Sequence, residues 1–160
     1  FFIDYVNTYH AKIRELDPSL SLLIAPYGVS RVQADESFVA QLEQLDCDFV
    51  AYQDGAGVRH SALEKVSEYF SALNAAHKKA SRSRIWADVE LFAFEGEVYR
   101  SPLIPAPIQR VEQQLSAVGP YVEEILVYQY QGMMNPPNSP AFLGHPDSCT
   151  LYQEYSKSIC

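Results

Sequence analysis

Apolar positions along this chain alternate between helical spacing and short continuous runs. Phe2, Val6, Tyr9, Ile13 and Leu16 recur at helical spacing, and Asp17-Pro18 stops the run. Leu20-Ser21-Leu22-Leu23-Ile24-Ala25 then reads as a buried strand with a turn at Pro26-Tyr27-Gly28. A helix follows over 35–45, with Phe38, Val39, Leu42 and Leu45 on one face, and a second strand over 48–53 leads into Asp54-Gly55-Ala56-Gly57. A long helix is predicted over 61–80, with Ser61 as N-cap and Glu64 completing a capping box. A third strand is predicted over 84–90, then a long loop over 91–107 with a small hairpin at Glu95-Gly96-Glu97. A helix over 108–118 ends at Gly119-Pro120, a fourth strand spans 124–130, and a Pro-rich loop leads to a last helix over 151–158.

This order gives four strand–helix units, as a parallel sheet with crossover helices requires. Two architectures fit: an open doubly wound sheet, or half of an eight-stranded barrel, since a complete barrel takes about 250 residues. A nucleotide-binding sheet places a Gly-rich turn after its first strand. Here Pro26-Tyr27-Gly28-Val29-Ser30 lacks that pattern, and Gly55-Ala56-Gly57 is a lone GxG.

In parallel α/β folds the chemistry sits at the carboxyl ends of the strands. Those ends carry Tyr27, Gln53 with Asp54, Glu90, and Gln129 to Gln131. The third strand gives the sharpest signal. Side chains alternate, so Ile85, Ala87 and Val89 face one way, toward helices, and Trp86, Asp88 and Glu90 the other. Two carboxyls on one face have their pKa values pushed apart, which is how acid and base work is divided. The bland alternatives are a buried bond from Asp88 to Arg84 or a neighbouring Tyr that only braces the fold, and an Asp54-Gly55 turn in which Asp54 bonds its own backbone. Gln53 and Asp54 could grip vicinal hydroxyls; Tyr27, Trp86 and Tyr130 could stack on a sugar ring or simply pack. Met133-Met134 is read as packing.

Composition narrows the field. The 160 residues carry 20 acidic and 12 basic side chains, a formal net charge of −8, which argues against a nucleic-acid partner. His77-Lys78-Lys79, with Arg82 and Arg84, reads as a solvated helix end. No apolar run is long enough to span a membrane. Phe1-Phe2-Ile3-Asp4 has neither an initiator Met nor signal-peptide features, so the chain is expected to begin inside a larger protein. Cys47 is expected to be a small buried residue. Cys149 and Cys160 flank the last helix and either pair in an oxidising compartment or are separate thiols; an extracytoplasmic or secreted location is favoured. The scattered histidines make no HExxH, and GxSxG and a Walker lysine are missing, so no metal or cofactor is expected.

Three strings, Tyr52-Gln53-Asp54-Gly55-Ala56-Gly57-Val58, Trp86-Ala87-Asp88-Val89-Glu90-Leu91-Phe92 and Pro105-Ala106-Pro107-Ile108-Gln109-Arg110, resemble a glycosidase-like barrel family, domain of unknown function 4434. The resemblance runs from about residue 20 to residue 155. It implies an α/β fold, a parallel (β/α) barrel of TIM type present as its second half, with 1–160 as a single domain and an incomplete barrel. The family is similar to the clan of retaining glycosidases, in which a Glu ending the seventh strand is the nucleophile. Glu90 matches that position; Tyr27, Gln53, Asp54, Trp86, Asp88 and Tyr130 would bind substrate. The general acid/base would lie before Phe1, and retaining chemistry needs the two carboxyls about 5 Å apart. The expectation is a carbohydrate-active, glycoside hydrolase-like protein that is inactive as this stretch alone, its sheet closed by a missing N-terminal half barrel or a homodimer partner. Two alternatives stand beside it: a non-catalytic carbohydrate-binding barrel, and a structural or interaction domain.

Overall fold

The computed structural model describes residues 2–26, 34–58, 62–139 and 144–159. In chain order the elements are α1 (Ile3–Leu16), β1 (Leu23–Ile24), α2 (Glu36–Glu43), β2 (Phe49–Gln53), α3 (Leu63–Ala80), β3 (Arg84–Glu90), β4 (Phe92–Phe94), β5 (Leu103–Pro105), α4 (Ile108–Val118), a 3-10 turn (Gly119–Tyr121), β6 (Glu124–Tyr128), α5 (Tyr130–Met133) and α6 (Ser148–Ser158). Strands β1, β2, β3 and β6 form one parallel sheet in that order; β4 and β5 form a separate antiparallel hairpin. The result is a mixed α/β fold with a four-stranded parallel sheet, consistent with part of a TIM-like fold.

The helices form where the sequence places their caps and stripes. Asp35 caps α2 by accepting from the Phe38 N–H at 3.0 Å. Left-handed Ser81 (φ 53°) ends α3, its N–H bonding the His77 carbonyl at 2.9 Å. Buried Val66, Phe70, Leu73 and Ala76 of α3 pack with Phe38, Val39 and Leu42 of α2 against Val50, Tyr52, Ile85, Ala87 and Val89 of the sheet. Ile85, Ala87 and Val89 therefore face the helices, as their alternation predicts. A second cluster, with Leu91, Phe92, Ile108, Val111, Met133, Met134 and Leu151, joins the segments that follow β3 and β6 to helices α4 and α6.

The opposite face of the sheet is different. Register sets Gln53 beside Asp88, Trp86 beside Glu124, Asp88 beside Leu126, and Glu90 beside Tyr128. Along β6 this face is bare: Leu126 is 37% and Tyr128 45% exposed.

Several expectations need correction. The first strand pairs only over Leu23–Ile24, because Asp48 takes the Leu22 N–H at 2.7 Å in place of a ladder partner. The fourth strand ends at Tyr128, since Gln129 turns left-handed (φ 69°). Helix α1 buries no residue; Phe2, Tyr9 and Leu16 are exposed and of the predicted stripe Val6 packs on the main core. Polar groups anchor α1: Asn7 bonds Gln44 and Asp46 at 2.8 and 2.7 Å, and Arg14 bonds Asp48 at 2.6 Å. His77 is not solvated. It is buried, its Nδ1 near the Arg82 and Ser83 carbonyls at 3.3 and 3.1 Å, its Nε2 2.8 Å from the Tyr52 hydroxyl. Two carbonyls at Nδ1 require the proton there, and burial pushes the His77 pKa down and favours the neutral ring, whose Nε2 accepts from Tyr52. The Ser61 cap and the Cys149–Cys160 pair involve residues outside the described set, and α3 begins after Ala62. Cys47 is buried, and the expected hairpin is β4–β5.

Candidate functional site

The carboxyl ends of β2 and β3 are locked together by one buried network. Asp54 directly follows β2. Its Oδ1 accepts from the Ala56 N–H at 3.3 Å and the Glu90 N–H at 3.2 Å; its Oδ2 accepts from Gln114 Nε2 at 2.5 Å. The first bond is the expected Asx turn, so Asp54 makes that turn and also ties β2 to β3 and α4. Gln114 Nε2 also donates to the Glu90 carbonyl at 3.1 Å, while its Oε1 accepts from Arg110 Nε at 3.1 Å. Arg110 in turn donates to the carbonyls of Glu90 and Phe92, at 3.0 and 2.6 Å.

Glu90 ends β3 and is 2% exposed. Its Oε2 accepts from the Gly57 and Val58 N–H groups, at 2.7 and 2.8 Å. Only glycine fits at position 57: a Cβ there would lie 2.4 Å from the Phe92 carbonyl oxygen and 2.9 Å from Glu90 Oε2. The loop after β2 thus closes onto Glu90 because two of its amides face one carboxylate oxygen. Charge-assisted bonds of this kind are the strong ones.

Burial acts on all three carboxyls. It pushes Asp54 up to about 6, against the bonds from Gln114, Ala56 and the Glu90 N–H, with the nearby Glu90 charge adding to the rise. Burial also raises Glu90, opposed by the Val58 and Gly57 amides and by Arg110. Asp88 is raised by burial and partly offset by the Gln53 amide beside it. Arg110 is drawn down by its own burial, against the pull of Asp54 and Glu90. The carboxyls of the site therefore hold protons more readily than exposed carboxylates would.

The candidates divide into groups. Asp54 and Glu90 meet in the network. Gln53 and Asp88 stand side by side on the sheet face away from the helices, the face that also carries Glu90; among the described residues, Gln53 Oε1 is buried without a partner. Trp86 lies one side-chain step lower, stacked on Phe49 with centroids 4.3 Å apart, its Nε1 likewise buried without a partner among the described residues. Tyr130 lies past the end of β6, half-exposed. Tyr27 lies outside the described residues. The Asp88–Arg84 bridge does not form, because Arg84 pairs with Glu123 at 2.5 Å.

Gln114, Arg110 and Gly57 carry much of the geometry and were not singled out from sequence as site residues. The available signal was Gln114, an amide on the same face of α4 as Val111 and Val118. Among the described residues, no group of three or more His, Cys, Asp and Glu side chains is arranged to hold a metal ion. No helix among them is long and apolar enough to cross a membrane.

A parallel sheet with its polar cluster at the carboxyl ends places the chain in the α/β class that includes the glycoside hydrolase-like folds. The chain belongs to the family described as Domain of unknown function (DUF4434), whose profile matches residues 1–141. That match begins earlier and ends sooner than the resemblance expected from about residue 20 to residue 155. No match was found among curated proteins. A crystal structure of a putative alpha-L-fucosidase from Bacteroides thetaiotaomicron superposes with a TM-score of 0.74 at 16% identity, over 97% of this chain and 50% of that one. At that identity the likeness is one of fold. The chain spans half the length of the structure it matches.

Proposed function

We propose that this chain is the second half of a glycoside hydrolase-like (β/α) barrel whose carboxyl-end face binds carbohydrate, with Glu90 as the nucleophile of a retaining mechanism. The observation that carries the reading is the Glu90 carboxyl at the end of β3, fixed through one oxygen by two backbone amides. Oε2 takes both amide bonds, and Oε1 is the atom that would attack an anomeric carbon. Asp88 and Gln53, one strand step away, are placed to hold sugar hydroxyls. The proton donor would come from the other half of the barrel, which would also cover the bare face of β6. An extracytoplasmic setting belongs to the same reading.

The test is turnover of a panel of aryl glycosides, an aryl α-L-fucoside among them, by the intact protein that contains this chain. Glu90→Gln should lower turnover by about a thousandfold or more while the unfolding midpoint stays within a few degrees. Turnover that survives the substitution contradicts the assignment.

One observation favours a second reading. Glu90 is buried and clamped, the state of a residue that holds a loop, which suits a non-catalytic carbohydrate-binding barrel. Glycoside binding by calorimetry with no turnover of any substrate in the panel selects that reading.

A further inference from the structure

The turn between α3 and β3 runs from Ser81 to Ser83, and both serines are left-handed although neither is glycine, Ser81 at φ 53° and Ser83 at φ 44°. Strain of this kind persists where the surroundings over-determine the backbone, and it collects at functional sites. The surroundings here are specific. His77 Nδ1 faces the Arg82 and Ser83 carbonyls at 3.3 and 3.1 Å. The Ser83 hydroxyl donates to the Cys47 carbonyl at 2.8 Å, and the Arg84 N–H donates to the Asp48 carbonyl at 2.8 Å. The turn is therefore a rigid mount for the two cations beside it, Arg82 and Arg84.

That mount borders an open cavity of about 430 Å³ at the amino end of β3 and β6, the end of the sheet opposite Glu90. The lining has two chemistries. Lys78, Arg82 and Arg84 come from α3 and the turn after it, and Pro120, Tyr121 and Val122 from the segment that leads into β6. Asn74 clamps that segment, its amide donating to the Tyr121 carbonyl at 2.8 Å. Glu123 also lines the cavity and is tied to Arg84, whose guanidinium lies 4.9 Å from the Phe49 ring centroid. Arg82 pairs with Asp46 through one nitrogen at 3.0 Å. A guanidinium carries five N–H donors, so these pairs use a fraction of what the two arginines offer. Carbonyls that would repel an anion at the end of α3 are occupied: those of His77 and Lys78 accept from the Ser81 N–H and hydroxyl at 2.9 and 3.3 Å. In a chain of net charge −8, three cations around one concavity run against the average. Ligand pockets begin at about 300 Å³, so the space takes a small molecule and not only an ion.

We propose that this cavity binds a phosphate or sulfate monoester of a small organic group, its tetrahedral oxyanion held by Lys78, Arg82 and Arg84 and the body of the ester lying on Pro120, Tyr121 and Val122. Arginine forks match the paired oxygens of such an anion, and the lysine adds a point charge. The site is at the far end of the sheet from Glu90, so it stands or falls apart from the carbohydrate reading.

The experiment is amide-shift NMR and calorimetry of the intact protein that contains this chain, at fixed ionic strength, with phenyl phosphate, phenyl sulfate, inorganic phosphate and benzoate as probes. At least one phenyl ester should bind with a dissociation constant of about a millimolar or tighter and move the amides of Ser83, Tyr121 and Val122. The tighter of the two tells a phosphate ligand from a sulfate one. Lys78 is exposed, so substituting it leaves the core untouched. Lys78→Glu should weaken the tighter ester by about tenfold or more, and Lys78→Arg, which keeps the charge, should stay within about threefold. Inorganic phosphate bound as tightly as phenyl phosphate would assign a free ion and overturn the ester. Benzoate bound as tightly as either ester would overturn the preference for a tetrahedral anion. Affinity that Lys78→Glu leaves unaltered, with the unfolding midpoint preserved, overturns the site, as does a wild type that binds neither phenyl ester.

Discussion

The two faces of the same four strands live under different rules. On the helix side, Val50, Tyr52, Ile85, Ala87 and Val89 are sealed by α2 and α3, and the polar pair in that region, Tyr52 with His77, is fully bonded. On the other side, Gln53 Oε1 and Trp86 Nε1 are buried without partners among the described residues, and Leu126 and Tyr128 face solvent. Stability is therefore built on one face, and unsatisfied binding capacity is kept on the other. Buried polar atoms without partners are uncommon and mark places where something else is meant to bind or pack.

That contrast can be broken by truncation. Phe70→Ala, on the helix side and 1% exposed, should cost about 3–5 kcal/mol in denaturant unfolding. Leu126→Ala, on the bare face, should cost less than about 1 kcal/mol in this 160-residue chain. Equal costs would mean that the second face is packed after all.

The network at the strand ends sits between these regimes and gives intermediate effects. Gly57→Ala places a methyl against the Phe92 carbonyl and Glu90, and should destabilise by about 1–3 kcal/mol with local loss of amide protection at Gly57 and Val58. Asp54→Asn cannot satisfy Gln114 as the carboxylate does. The new amide would face the Gln114 amide donor, and turning Gln114 over would set its donor against Arg110. A loss of about 1–3 kcal/mol is expected.

The network also shapes the pH profile. Asp54 has a folded-state pKa raised to about 6, so its stabilising proton is fully held below the unfolded value near 4 and lost as pH rises through 6. Stability should decline over that window, and Asp54→Asn should flatten the decline. His77 acts in the opposite direction. Burial depresses its pKa, so its contribution is present above about 6.5 and is lost as pH falls through the depressed value. His77→Gln should remove that acid-side loss. Thermal midpoints from pH 3 to 8 separate the two, because the variants should alter different limbs.

Legibility followed the range of the interactions. The extent of β3, the outward set Ile85, Ala87 and Val89, and the placement of Glu90 at a strand end come from local alternation, which a single sequence displays. The Asp54–Gln114 bond joins residues 60 apart, and no spacing rule reveals it. The end of β6 was misplaced because the residue that turns the chain there is Gln129 and not a glycine. Helix α1 shows a valid period whose apolar side packs little, since Asn7 and Arg14 hold it by polar bonds. The buried state of His77 was hidden by its charged neighbours Lys78 and Lys79.

The central claim concerns Glu90, and mechanism-based trapping tests it most directly. The intact protein, incubated with an activated 2-fluoro glycoside matched to its best aryl substrate, should form a stable glycosyl ester. Mass spectrometry of the digest should find that adduct on the peptide bearing Glu90. An adduct on another carboxylate, or turnover of the parent substrate with no adduct formed, would contradict the account.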